Sequence, residues 1–264
     1  MPDFFSKTQI EKIVDFTLKA GEIASQAFIK KDFSIEKKAD GSRVTSADIA
    51  VSQFLHKHLQ NEFPKIPIVC EEGILREFSD EIFFLIDPID GTSSFIAGNP
   101  EFCINVALIK NKKPIFGLIY APLFEDGKMV FSNEKNQITL RRINLSNRLN
   151  DAILNRKNKS SDSFRVVTSS RSKDRDVEDY VTKNYPEFSK KFTIEKLSSA
   201  IKFFRILEGD ADLYLHFRPS MEWDTAAGQA MTKMIGGELK DLTDEKILTY
   251  KKPNFENKAF KLLI

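Results

Sequence analysis

The chain has 264 residues, 41% hydrophobic and 30% charged, enough for one large domain or two smaller ones sharing a cleft. Lys plus Arg (40) nearly balances Asp plus Glu (38), so a formal net charge of +2 provides no strong field to gather nucleic acid or acidic lipid. No apolar run approaches the roughly 20 residues that span a bilayer, and the first residues lack a basic-then-apolar signal. Two cysteines cannot build a disulfide framework. A cytoplasmic protein is expected, without stable membrane insertion and at most peripheral at the inner membrane face.

A first helix is predicted from Thr8, with Thr8 and Glu11 as a capping box and Ile10, Ile13, Val14, Ala24, Ala27 and Phe28 on its buried face. The polar stretch Lys37 to Ser42 reads as a turn or hairpin. A second helix is predicted from Thr45, with Val51, Leu55 and Leu59 inward, ending before Pro64. The apolar runs Ile66 to Cys70 and Ile82 to Ile86 each end at acids and read as buried strands. Phe102 to Ile109, Ile115 to Tyr120 and Lys128 to Phe131 predict further strands.

From Arg141 to Lys159 the chain is polar and basic, which predicts a domain junction or an irregular surface connection. A nucleic-acid arm is the competing reading, and the lack of interleaved aromatics speaks against it. Strands at Phe164 to Thr168, Phe192 to Leu197 and Ala211 to Phe217 then alternate with helices near Val177 to Tyr185, Ala200 to Leu207 and Thr225 to Ile235. Gly236 and Gly237 close the last helix. The pattern predicts an α+β domain over residues 1–150 and an α/β domain over 151–264.

His56, His58 and His216 show no metal-ligand spacing, and His56 and His58 point to different faces of a helix. That disfavours a nitrogen-rich metal site and leaves an oxygen-rich one open. Three acidic segments carry most of the chemistry: Cys70-Glu71-Glu72-Gly73, Asp87-Pro88-Ile89-Asp90-Gly91-Thr92, and Glu222-Trp223-Asp224-Thr225-Ala226-Ala227-Gly228. In the second, Pro88 stiffens a turn on which two carboxylates and the Ile89 carbonyl can face one way, a donor set suited to Mg²⁺. Gly91 and Thr92 then open a helix whose first N–H groups suit an anion.

Each segment has a plainer explanation. The second also fits a strand followed by an Asp-rich turn and a cap. Glu71 and Glu72 also fit surface glutamates after a strand. Asp224 also fits an N-cap, and Asp48 a first-turn acid favoured by the helix dipole. The small face Ala226, Ala227, Gly228 admits either a ligand or another backbone. Taken together, the acids make one polydentate metal site. Cys70 and Arg76 have the C-x₅-R spacing of thiolate phosphatases, but Glu71 and Glu72 would place negative charge against the phosphate.

In their order along the chain, Val44-Thr45-Ser46-Ala47-Asp48, Glu71-Glu72, DPIDGT, WDTAAG and Gly236-Gly237 resemble the inositol monophosphatase superfamily of magnesium-dependent, lithium-sensitive phosphatases. The resemblance implies a layered αβαβα sandwich, of the inositol monophosphatase and fructose-1,6-bisphosphatase type, with its site between two halves. It implies two or three Mg²⁺ ions held by Glu71, Asp87, the Ile89 carbonyl, Asp90 and Asp224. Asp48 and Thr92 are similar to the pair that polarises the attacking water, with Glu71 beside them, and Gly91 and Thr92 match the phosphate-holding amides.

Asn105 to Ile109, Gly117 to Pro122, Thr168 to Ser172 and Met221 to Asp224 are similar to the 3′(2′),5′-bisphosphate nucleotidase branch of sulfur assimilation. Ser198, Ser199 and Lys202 resemble that branch's substrate segment, although Leu197 replaces its glycine and one extra residue precedes the lysine. After DGT the branch reads Lys-Glu-Phe, whereas this chain has Ser93-Ser94-Phe95 and continues, closer to the inositol branch, through Ile96 to Pro100. The implied function is hydrolysis of adenosine 3′,5′-bisphosphate by a monomer or homodimer whose partner is a small phosphorylated metabolite. Inositol monophosphatase is the alternative, and a non-catalytic nucleotide- or polyol-binding protein is the alternative of another class.

Overall fold

Apolar runs buried on both faces need cover on both faces, and the architecture supplies it in layers. The computed structural model describes residues 4–39, 41–73, 81–143, 149–157 and 163–264. Helices α1 (Lys7–Lys30) and α2 (Ser46–Glu62) flank a hairpin of β1 (Ile35–Lys37) and β2 (Arg43–Thr45). There follow β3 (Ile68–Cys70), β4 (Ile82–Asp90), the short α3 (Thr92–Ile96), β5 (Cys103–Lys110), β6 (Lys113–Ala121), β7 (Lys128–Ser132), β8 (Ile138–Ile143) and β9 (Leu149–Ile153). These seven strands form one sheet in chain order, parallel between β3 and β4 and antiparallel elsewhere.

The remaining chain supplies β10 (Phe164–Ser169), α4 (Asp174–Asn184), β11 (Phe192–Leu197), α5 (Lys202–Glu208), β12 (Leu213–His216), β13 (Ser220–Met221), α6 (Glu222–Thr232), β14 (Glu238–Asp241), β15 (Glu256–Asn257) and β16 (Phe260–Leu263). A five-stranded sheet runs β11-β10-β12-β16-β14, and β13 pairs with β15 as a separate ribbon.

The pleat of β4 sorts the layers. Phe84 and Ile86 pack with Ile13, Val14, Val51 and Leu55 of α1 and α2. Phe83 and Leu85 pack on the other side with Phe203 and Ile206 of α5 and Ala226 and Met231 of α6. That same middle cluster takes Val167, Tyr214, Phe260 and Leu262 from the inner face of the small sheet. Phe164, Val166, Leu213 and Leu215 on its outer face meet Val177 and Val181 of α4. The order is helix, sheet, helix, sheet, helix: an α+β, αβαβα sandwich.

Several expectations need correction. The first helix begins at Lys7, and its capping box is Ser6 with Gln9 rather than Thr8 with Glu11. The Arg141 to Lys159 stretch, of which residues 144–148 and 158–159 lie outside the described residues, is not an irregular connection. Most of its described part is the β8–β9 hairpin. Arg141 is 5% exposed because it sits opposite Asp151 across that hairpin, with nitrogen–oxygen distances of 2.6 and 2.7 Å, and also pairs with Glu11. Arg142 pairs with Glu208 and Lys157 with Asp210. Among the described residues of this stretch, charges engaged in this way do not form a free nucleic-acid arm.

The small face of α6 meets backbone and a ring, not a ligand. A Cβ on Gly117 of β6 would stand 2.2 Å from the Ala227 carbonyl oxygen, and one on Gly228 would stand 2.4 Å from the Phe203 ring. Gly117→Ala should therefore push α6 off the sheet and lower stability by about 1–3 kcal/mol, read as an earlier urea midpoint at unchanged slope. An unchanged midpoint would mean that the contact is looser than this geometry.

Candidate active site

A register shift brings the first two acids together. Asp87 pairs with Asn105 and Asp90 with Cys103, so three steps on β4 oppose two on β5. Residues three apart on a regular strand face opposite ways, and the one extra residue turns Asp90 back to the face of Asp87. Pro88, with no N–H to offer, lies inside the irregular stretch. The Asp87–Asp90 segment, expected as a stiff turn, is thus the bulged end of a strand.

Asp224 stands at the third position of α6, not at its N-cap, and its Oδ2 accepts the Met221 N–H at 2.8 Å. One oxygen from each of Asp87, Asp90 and Asp224 lies within 4.8 Å of the other two. Hydrogen bonds orient them. Asp90 Oδ2 accepts from the Ala200 N–H at 2.5 Å and from Asn105 Nδ2 at 3.2 Å, and Asp87 Oδ1 accepts from the Ile89 N–H at 3.1 Å.

Glu71 and Ile89 line a recess with these three acids. Glu71 is held by the Lys38 ammonium at 3.0 Å, and Lys38 also pairs with Glu72 at 2.5 Å. The Ile89 carbonyl accepts from Thr92 Oγ1 at 3.1 Å. Burial pushes the carboxyls of Asp87 and Asp224 well above the usual range. Repulsion adds to it, from Glu71, Asp90 and Asp224 on Asp87, and from Asp90 and Glu71 on Asp224. Asp90 is raised by burial too, although Lys202 and two hydrogen bonds oppose it. Carboxylates this close, one buried and two part-buried, call for a cation, and an all-oxygen donor set fits a hard divalent one.

Asp48 is 1% exposed and accepts from the Thr45 N–H at 2.9 Å and from Thr92 Oγ1 at 3.2 Å. Burial is the main reason its carboxyl is raised. Gly91 caps α3 at φ 94°, where only glycine is unstrained, and a Cβ there would stand 2.9 Å from the Glu101 carbonyl.

A cleft of about 660 Å³ joins Glu71, Asp90, Gly91, Thr92 and Asp224 to Ser198, Ser199 and Lys202. The Ser198 N–H donates to Glu101 at 2.8 Å. The buried Lys202 ammonium donates to the Leu197 carbonyl at 3.2 Å and to that of Ser199, and lies over the Tyr214 ring. Its charge reaches the site chiefly as a field on Asp90. His58 packs against Phe16 and Phe54, and part-buried His216 stacks on Phe260.

Cys70 is buried against Ser52 Oγ at 3.2 Å, and burial pushes its thiol up to about 11, the reverse of an activated nucleophile. Arg76 lies outside the described residues. Cys70→Ser should retain wild-type turnover, whereas a thiolate mechanism would lose it entirely.

Two participants lie outside the predicted ligand set. Asn105 is detectable as a lone polar residue in the apolar run of β5. Lys38 carries no signal, because one lysine of a polar hairpin looks like any solvated charge.

The model of the inositol monophosphatase family matches residues 7–261. The 3′(2′),5′-bisphosphate nucleotidase CysQ of Salmonella typhimurium is 30% identical over 264 residues, covering 97% of this chain and 99% of that protein. The crystal structure of CysQ from Bacteroides thetaiotaomicron, a bacterial member of the inositol monophosphatase family, superposes with a TM-score of 0.81. It is 28% identical and is matched over 98% of both chains. An IMPase/NADP phosphatase complexed with Mg²⁺ and phosphate shares the fold, with a TM-score of 0.74 and 17% identity over 97% of this chain and 90% of that one. Shared from the first helix to the last strand, the pattern is one of descent: the chain belongs to the inositol monophosphatase family and is a phosphatase.

Proposed function

We propose that this chain is a Mg²⁺-dependent 3′(2′),5′-bisphosphate nucleotidase that converts adenosine 3′,5′-bisphosphate to AMP and phosphate. The observation that carries this reading is the convergence of Asp87, Asp90 and Asp224 in one recess with Thr92, itself bonded to Asp48. The CysQ relatives supply the substrate class.

Two or three Mg²⁺ ions, held by Glu71, Asp87, the Ile89 carbonyl, Asp90 and Asp224, would supply charge neutralisation and an acidified water. The rest falls to side chains and amides. Thr92 Oγ1, donating to Asp48 Oδ1, keeps lone pairs to accept a proton from the attacking water. Asp48 then takes the proton, and a carboxyl raised by burial is a better base at neutral pH than an ordinary aspartate. First-turn N–H groups at Gly91 and Thr92 have no acceptor inside their helix and hold the phosphoryl oxygens. Ser198, Ser199 and Lys202 form the wall against which the rest of the substrate lies.

The proposal extends to lithium sensitivity, a place in sulfur assimilation, a monomer or homodimer in the cytoplasm, and a division of labour between residues 1–150 and 151–264. None of the described helices is long and apolar enough to cross a membrane. The test is to offer purified protein with Mg²⁺ adenosine 3′,5′-bisphosphate, inositol 1-phosphate and fructose 1,6-bisphosphate in parallel, with and without lithium. The nucleotide should be the preferred substrate. Preference for inositol 1-phosphate would favour the inositol reading, and nucleotide binding without turnover of any substrate would leave a binding protein.

A further inference from the structure

At the mouth of the cleft, two cations share one neutral oxygen. Arg171 Nη2 donates to Ser93 Oγ at 2.8 Å, and Arg43 Nη2 reaches the same oxygen at 3.5 Å. Both arginines are exposed. Among the described residues neither is paired with a carboxylate, whereas Arg141, Arg142, Arg165 and Arg205 all are. Two guanidiniums converging on a hydroxyl repel each other, and the hydroxyl neutralises neither.

Their placement matters. Arg43 opens β2, which leads through Thr45 into the helix of Asp48. Ser93 follows Thr92, and Arg171 follows the end of β10. Both arginines line the same 660 Å³ cleft as Glu71, Asp90 and Thr92 without pairing to those acids. The cleft is therefore lined by acids and by two cations that none of these acids neutralises, in a volume of about 660 Å³ that suits a small molecule.

We propose that Arg43 and Arg171, converging on Ser93, form a second anion site that takes the second phosphate of a bisphosphorylated nucleotide and so sets the preference for bisphosphates over monophosphates. The proposal rests on the nucleotidase reading and names the side chains responsible for its substrate class. A phosphate offers three acceptor oxygens to two planar forks, the pairing for which arginine geometry is suited. With the first phosphate against Thr92, the second takes the arginines that meet on Ser93 in the same cleft. An inositol monophosphate has nothing to place there.

The test compares adenosine 3′,5′-bisphosphate with adenosine 3′-monophosphate, which differ only in the 5′-phosphate. The proteins are wild type, Arg43→Met, Arg171→Met and the double variant, with Mg²⁺ present and folding checked by circular dichroism. The wild type should favour the bisphosphate. In the double variant that preference should shrink by roughly ten- to hundredfold, through KM rather than kcat, and Arg43→Lys should retain part of it. AMP should also inhibit the wild type more strongly than adenosine, a comparison that needs no variant. A double variant that keeps the wild-type ratio, or AMP no better than adenosine, would overturn the arginine site while leaving the nucleotidase reading intact. A wild type that does not favour the bisphosphate would overturn both.

Discussion

Asp90→Asn should reduce turnover by at least roughly a hundredfold while leaving the protein folded. All three hydrogen bonds to Asp90, from the Ala200 N–H, Asn105 Nδ2 and Cys103 Sγ, end on the same oxygen. An asparagine can present its carbonyl oxygen to those donors and turn its amide toward Asp87 and Asp224. The scaffold bonds survive and an anionic donor is lost. With charges within 4.8 Å of one another, each ionised pair in the metal-free protein repels by about 3 kcal/mol at an effective dielectric near 20. The variant should therefore melt no lower than wild type without metal, and gain less from added Mg²⁺. Near-normal turnover would remove Asp90 from the site, and a large drop in metal-free melting temperature would make it a structural residue instead.

The sequence made some of this plain and hid the rest for physical reasons. Buried strands announce themselves as unbroken apolar runs, so β4 and β5 and the acids that close β4 are legible in order. The bulge is not, because register is a property of two strands, and only the pairing of Asp87 with Asn105 and Asp90 with Cys103 reveals the extra residue. The β8–β9 hairpin was hidden by its own stabilising charges: Arg141 and Asp151 look like loop residues until they stand opposite one another. The strand β16, at Phe260–Leu263, is only four residues long, too short for its pattern to set it apart, yet it sits between β12 and β14. The small face of α6 left ligand and backbone equally open, and only the approach of β6 decides for backbone. Composition also cannot tell Lys38, held by two glutamates, from Arg43 and Arg171, held by none among the described residues.

Removing and restoring the metal should expose the acid cluster as a pH-dependent weakness. The carboxyls of Asp87, Asp90 and Asp224 are raised in the folded state above their unfolded value near 3.8. Between the unfolded and the raised values the native protein holds more protons than the unfolded chain, so metal-free stability falls as pH rises through that window. A divalent cation requires the ionised acids, so its stabilising effect must grow over the same window and level off above it. At pH 8 and Mg²⁺ about 100-fold above its dissociation constant, the gain should be about 2.7 kcal/mol. That corresponds to a melting shift of roughly 5–11 °C for a chain of this size. At pH 5 the shift should be much smaller. Part-buried His216, pushed down to about 4, works the other way: its contribution is present above the ordinary histidine range and is lost as pH falls toward 4. It acts with or without Mg²⁺, so the difference between paired melting curves isolates the carboxylates. A Mg²⁺ shift equal at pH 5 and pH 8, or one that survives Asp224→Asn, would mean that the cation binds elsewhere.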